Sequence, residues 1–205
     1  MKVSDGDFIN IDTIKWPARV FGIEMRQNLY SIQAMSKLIE GTPGISRIIE
    51  FGTGTGIMTL LMSIYANDNN VELYTYDILP MLTEGVRICL SEMNNTHVSN
   101  CDIFNSESSI SELITTTEGR VLILCDNSDK KREFEMYSKY LRPNDIICAH
   151  DYFFDGAESN NGTETWVCCE ITYKDIKEYC EMYNIVTYMD EVMKSSHWGC
   201  FIKDL

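Results

Sequence analysis

Residues 50–56 read Glu50-Phe51-Gly52-Thr53-Gly54-Thr55-Gly56, between a short apolar run, ISRIIEF (45–51), and a helix-like apolar segment, IMTLLMSIY (57–65). Three alternating glycines at a strand-to-helix junction permit positive φ and let a ligand approach the backbone beside a helix N-terminus. The dinucleotide pattern G-x-G-x-x-G needs its third glycine one residue later, where this chain carries Ile57. The spacing is instead G-x-G-x-G, with an acid two residues ahead of the first glycine. A carboxylate at that point disfavours a pyrophosphate and suits a cation. Asp77 closes a second strand, VELYTYD (71–77), where an acid can accept from ribose hydroxyls.

Around this turn the chain alternates strands and helices. Residues 26–40 place Leu29, Ile32, Met35 and Ile39 on one helical stripe, ended by Gly41 and Pro43. Val86, Cys89, Leu90 and Met93 fall at i, i+3, i+4, i+7 after Pro80, the spacing of an amphipathic helix. HVSNCDIF (97–104) reads as a weaker strand, followed by a helix with Ile110, Leu113 and Ile114 inward. VLILCD (121–126) and DIICAHD (145–151) are continuous apolar runs, as strands covered on both faces should be. Phe134, Tyr137 and Leu141 line a helix between them, and Ile176, Tyr179, Cys180 and Tyr183 line one near 173–183. IVTYMDEV (185–192) and HWGCFIK (197–203) lie too close together for a helical crossover and are expected to pair antiparallel. The pattern predicts a doubly wound, Rossmann-like α/β fold. Residues 1–44 are expected as a helical cap or lid, or a contact between copies in a homo-oligomer, on a single compact domain over 45–205.

The 17 Lys and Arg against 31 Asp and Glu leave a formal charge of −14. That argues against nucleic acid or an anionic membrane as partner, because phosphates are bound by clustered cations. The opening MKVSDGDFIN has no apolar stretch, and no C-x-x-C pair occurs among the eight cysteines. Reduced, buried thiols in a cytoplasmic protein are therefore expected. Residues 152–168 are irregular and aromatic and are expected as a loop over a site. Trp16-Pro17 and Trp166 would flank the sheet in irregular segments, and the vicinal Cys168-Cys169 is read as packing.

The glycine turn with Glu50 ahead of it and Asp77 after it resembles the first motifs of the class I S-adenosylmethionine (SAM)-dependent methyltransferases. The resemblance covers about residues 45–205 and implies a seven-stranded sheet, mostly parallel, with a C-terminal antiparallel hairpin. It implies that Glu50 and the turn, Gly52, Thr53, Gly54, Thr55 and Gly56, hold the methionine end of the cofactor. Asp77 would take the ribose hydroxyls and Asp102 the adenine amino group.

Asp126 ends the fourth strand and His150-Asp151 the fifth, so the three are expected side by side at the ligand-binding edge. Carboxylates suit Mg²⁺ or Mn²⁺, and an imidazole tolerates Mn²⁺ or Fe²⁺ better than Mg²⁺. The arrangement resembles the metal-dependent O-methyltransferases of the catechol type, and the cephalosporin-hydroxylase and macrolide-sugar O-methyltransferase group, with His150 standing where a carboxylate is common. That resemblance implies methyl transfer to a small phenol, sugar or polyketide-like acceptor. Asp126, His150 and Asp151 would hold the metal, Asp126 and Asp151 would serve catalysis, and Lys130 or Lys131 would be the general base. A metal-independent N- or O-methyltransferase and a non-catalytic SAM- or nucleotide-binding module are the alternatives. Ile57 and Glu50 disfavour a NAD-dependent oxidoreductase.

Overall fold

A computed structural model describes residues 19–20, 22–154 and 170–205. Seven strands form one sheet: β1 (Ile45–Phe51), β2 (Glu72–Asp77), β3 (Thr96–Asn100), β4 (Arg120–Cys125), β5 (Ile146–Ala149), β6 (Ile185–Thr187) and β7 (Gly199–Lys203). Their spatial order is β6-β7-β5-β4-β1-β2-β3. The five strands from β5 to β3 are parallel, and β7 runs antiparallel to both β5 and β6. The helices are α1 (Tyr30–Gly41), α2 (Ile57–Asn69), α3 (Glu84–Ser91), α4 (Glu107–Thr116), α5 (Lys130–Tyr137), α6 (Tyr173–Met182) and α7 (Asp190–Met193).

The period-2 alternation of the strands builds two cores. Phe51, Ile123, Cys125 and Ile147 pack with Ile110 of α4, Phe134 of α5 and Ile176 of α6 on one face. Ile48, Leu122, Leu124 and Cys148 pack with Met35 of α1, Met62 of α2 and Met193 of α7 on the other. Every residue of β5 is buried, as is every residue of β4 after Arg120, which is why both read as unbroken apolar runs. Trp198 joins the second core with no exposed surface. Helix α1 belongs to that core too, through Ala34, Met35, Leu38 and Ile39.

Four expectations shift at element ends. The first helix begins at Tyr30, not at 26, and Arg26 has a φ of 53° that no helix accommodates. Strand β3 stops at Asn100, and the chain then enters a 3₁₀ turn over Ile103–Asn105. Helix α3 ends at Ser91, burying Val86 and Leu90 but leaving Cys89 exposed. Strand β6 stops at Thr187, because α7 and a 3₁₀ turn over Lys194–Ser196 occupy the rest of the segment and pack on α1. The antiparallel pairing of β6 with β7 holds, from Ile185↔Lys203 to Thr187↔Phe201.

Cys125, Cys148, Cys180 and Cys200 are buried free thiols, and no described helix is long and apolar enough to cross a membrane. Trp16-Pro17, Trp166, Cys168-Cys169 and all but the first residues of the 152–168 segment lie outside the described residues. Tyr152–Phe153 there pair in parallel with Ile171–Thr172.

Register places the carboxyl ends together. Phe51 lies opposite Tyr76 on one side and Cys125 on the other, and Cys125 opposite Ala149. The residues that follow these strands are the glycine turn, Asp126 and His150. Gly52 sits at a φ of 101°, and a Cβ on it would lie 2.5 Å from the Asp126 carbonyl oxygen. The turn can therefore close onto the β4 end only with glycine at this position. Gly52→Ala should destabilise the fold by about 1–3 kcal/mol, read as a lowered midpoint in urea unfolding.

Candidate active site

The turn is braced from below. Glu50 is 2% exposed, and one of its carboxylate oxygens accepts from Thr59 Oγ1 on α2 at 2.5 Å and Thr75 Oγ1 on β2 at 2.6 Å. Thr75 gives its single hydroxyl proton to Glu50, so Thr53 of the turn donates to Thr75, 2.7 Å away. Burial pushes the Glu50 carboxyl up to about 7, against those hydroxyl contacts. Glu50, expected with the turn backbone to hold the methionine end of a cofactor, lies beneath the turn, where strand alternation directs it to Thr59 of α2 and Thr75 of β2.

Gly52, Thr53, Gly54 and Thr55 line the cleft wall, with Asp77 beside them. Asp77 Oδ2 accepts from Gly54 N at 2.8 Å, and its Oδ1 accepts from Leu79 N at 2.8 Å. Among the described residues nothing lies within 4 Å of where a Gly54 Cβ would stand, so the backbone there faces open space. Gly56 does not line the cleft: at a φ of 80° it starts α2 and packs beneath Leu82 and Val86. The carboxylate of Asp102, expected at the adenine amino group, caps the 3₁₀ turn, accepting from Phe104 N and Asn105 Nδ2, both at 2.9 Å.

The same cleft is also lined by Asp126, Lys130, His150 and Asp151. One ligand atom each from Asp126, His150 and Asp151 lie within 4.8 Å of one another. His150 Nδ1 is 2.9 Å from Asp126 Oδ1 and 3.4 Å from Asp151 Oδ1. Each carboxylate turns its Oδ1 to the imidazole and its Oδ2 to another donor. Asp126 Oδ2 accepts from Gln27 Nε2 at 2.5 Å, and Asp151 Oδ2 pairs with Lys130 Nζ at 3.1 Å. Burial alone would lower the His150 pKa, but Asp126 and Asp151 outweigh it and raise the imidazole above its ordinary value. The same two acids outweigh burial at Lys130 and raise it too.

The separations of 2.9 and 3.4 Å from His150 Nδ1 to the two carboxylates are near the edge of an octahedron with bonds of about 2.1 Å. Two carboxylates and one imidazole therefore fit a divalent cation of the Mn²⁺ or Fe²⁺ kind, and Mg²⁺ less well.

A sheet of this order has many solved counterparts. A candidate O-methyltransferase from Klebsiella pneumoniae superposes with a TM-score of 0.56 at 15% identity, covering 86% of this chain and 81% of that one. A candidate methyltransferase from Thermobifida fusca gives 0.59 at 14%, over 86% and 81%. A complex of CmcI with Mg and SAM gives 0.59 at 14%, over 92% and 77%. The chain has the class I methyltransferase fold. No family model matches the sequence, and no curated protein matches it.

Within this methyltransferase fold, Lys130 and Lys131 separate. Lys130 is buried against Asp151 and the Asn127 carbonyl, 2.9 Å away, whereas Lys131 is exposed. Lys130 Nζ is held between the Asn127 carbonyl and Asp151, and Asp126 and Asp151 raise its pKa against burial. His97 is structural, bonded to Glu72 at 2.7 Å and stacked on Tyr74. Gln27 escapes sequence reasoning altogether: it stands 99 residues from the Asp126 it touches, and a glutamine before a helix carries no motif.

Glu133, buried on α5, is pushed by burial up to about 8, against the pull of Lys130. Glu50 and Glu133 thus both bind a proton more tightly folded than at the ordinary 4.5. The folded state holds protons that the unfolded chain has released, so their contribution to stability is lost as pH rises through about 7 and about 8. Thermal unfolding should show Tm falling across this range. Glu133→Gln should flatten the fall and raise Tm at pH 8.5 by a few degrees.

Proposed function

We propose that this chain is a SAM-dependent methyltransferase acting on a hydroxyl of a small molecule, with a divalent cation held by Asp126, His150 and Asp151. One observation carries the reading: the glycine turn with Asp77, and the Asp126–His150–Asp151 cluster, line the same cleft. The Mg–SAM complex of CmcI, on the same fold, lends it support.

The chemistry follows from charge. A hydroxyl oxygen displaces sulfur at the methyl carbon: the C–S bond breaks, an O–C bond forms, and the hydroxyl proton leaves. The sulfonium and the nucleophile's negative charge cancel in the transition state, so the protein's task is alignment and proton removal. Asp77 is the acceptor for the ribose hydroxyls, already oriented by Gly54 N and Leu79 N. A bound divalent cation lowers the pKa of an acceptor hydroxyl. Lys130 holds Asp151 from behind with its other oxygen toward His150, and Gln27 does the same for Asp126.

The 2.9 Å contact between His150 Nδ1 and Asp126 favours a second reading, an imidazole–carboxylate pair that removes the proton without metal. Chelation separates the two. Under the metal reading, EDTA abolishes transfer from labelled SAM to a phenol or sugar acceptor and Mn²⁺ restores it. Asp126→Asn then lowers the rate by on the order of 100-fold or more, and a rate indifferent to EDTA would leave the metal-independent reading standing. Titration calorimetry should detect SAM and not NAD, and Asp77→Ala should weaken SAM binding about 10- to 100-fold. A wild-type chain with no heat of SAM binding would refute the proposal.

A further inference from the structure

His150 stands at the first position after β5, and its backbone N donates to the Cys125 carbonyl at 3.0 Å. That fixes the main chain but not the ring, because the χ2 torsion of an imidazole is broad and roughly two-fold. A half-turn about it would exchange Nδ1, 2.9 Å from Asp126 and 3.4 Å from Asp151, for a carbon. A metal-ligating histidine is ordinarily held by a hydrogen bond at its other ring nitrogen. Among the described residues, the polar contacts of the His150 side chain go through Nδ1 to the two acids, and its ring contact is Trp198. The two ring centroids are 5.0 Å apart, with the planes tilted by 42°.

The sheet puts Trp198 there. Gly199 pairs with Ala149 in the antiparallel register of β7 and β5, so Trp198 and His150 are the next residues outward on the two strands, where cross-strand side chains meet. Just ahead, the carbonyls of Ser195 and Ser196 accept from Asn28 Nδ2 at 3.3 Å and Ser31 Oγ at 3.2 Å, which ties the approach to β7 to the start of α1. Trp198 has no exposed surface and packs in the core with Met35, Leu124 and Cys148. Its indole Nε1 is buried and meets no acceptor among the described residues, although a buried indole N–H usually finds one. The position therefore uses the ring's apolar surface, held by the core and in contact with His150.

We propose that Trp198 is a positioning residue for the Asp126–His150–Asp151 cluster, its indole being the wall that keeps the His150 imidazole turned with Nδ1 toward the two carboxylates. This rests on the metal reading of the cluster above. Packing against a ring thus takes the place of the hydrogen bond that would otherwise orient the imidazole.

Trp198→Phe keeps an aromatic face and Trp198→Leu removes it. Titration with Mn²⁺, followed by the electron paramagnetic resonance of the free ion, should leave the Phe variant within about 3-fold of wild type and weaken the Leu variant about 10- to 100-fold. Ile176→Ala, a core truncation on the opposite face of the sheet, controls for lost stability: its Tm should fall while its Mn²⁺ affinity stays. A folded Trp198→Leu that binds Mn²⁺ as wild type does, or an Ile176→Ala that loses as much affinity, would overturn the inference. Should Trp198→Leu not fold, wild type decides: nuclear Overhauser contacts between the His150 and Trp198 rings must persist when diamagnetic Zn²⁺ is bound, and their loss refutes the inference. If wild type takes up no Mn²⁺, the metal reading itself has failed, and the test proceeds without metal. The His150 imidazole resonances must then be single and sharp in wild type and Trp198→Phe but exchange-broadened in Trp198→Leu, and equal sharpness in all three refutes the inference.

Discussion

A single buried carboxylate holds the ligand-facing turn in shape. Glu50 is the penultimate residue of the central strand, and one of its oxygens collects the hydroxyls of Thr59 from the following helix and Thr75 from the neighbouring strand. Thr75 in turn holds Thr53. Strand, helix, adjacent strand and turn are thereby pinned to one point beneath the loop. Glycines make the turn geometrically accessible, but they also raise its conformational entropy. The hydroxyl cluster offsets that cost by leaving the loop one arrangement in which its buried polar side chains are satisfied.

The other half of the cleft solves a different problem, two carboxylates facing each other across one imidazole. Like charges that close are tolerated only with compensation. Here each acid has a donor at its back, an amide for Asp126 and an ammonium for Asp151, so both front oxygens stay directed at the same point. Supporting donors of this kind orient ligand atoms before anything binds. The charge of −14 spread over the chain says little about this site. The pairing of three specific acids with Gln27, Lys130 and Gly54 N says much more.

How much was readable from sequence follows from the range of the interactions. The runs VLILC and IICA are apolar at every position because both faces of their strands are covered, so the sheet's centre was visible. The positions of Asp77, Asp126 and His150-Asp151 followed from strand ends in a parallel sheet, and the cleft gathers all four. What the sequence does not show depends on local geometry or distant contacts. Asp102 precedes an Asn by three residues and bonds to it within one turn. Glu50 alternates with Ile49 and Phe51, which already places it under the loop and not above it. The four residues of α7 are too few to display a helical period. Gln27 reaches the site only through tertiary structure, and no spacing could have announced it.

Asp151 carries a further implication. Its backbone sits at a φ of 53°, in the left-handed region where glycine is at ease and asparagine tolerated. An aspartate there gives up conformational energy that a glycine would keep. Evolution toward thermal robustness alone would therefore drift this position to glycine, improving the fold while removing a carboxylate from the cleft. The chain stands on the other side of that trade: it accepts a less relaxed backbone after its fifth strand in exchange for an acid aimed at His150.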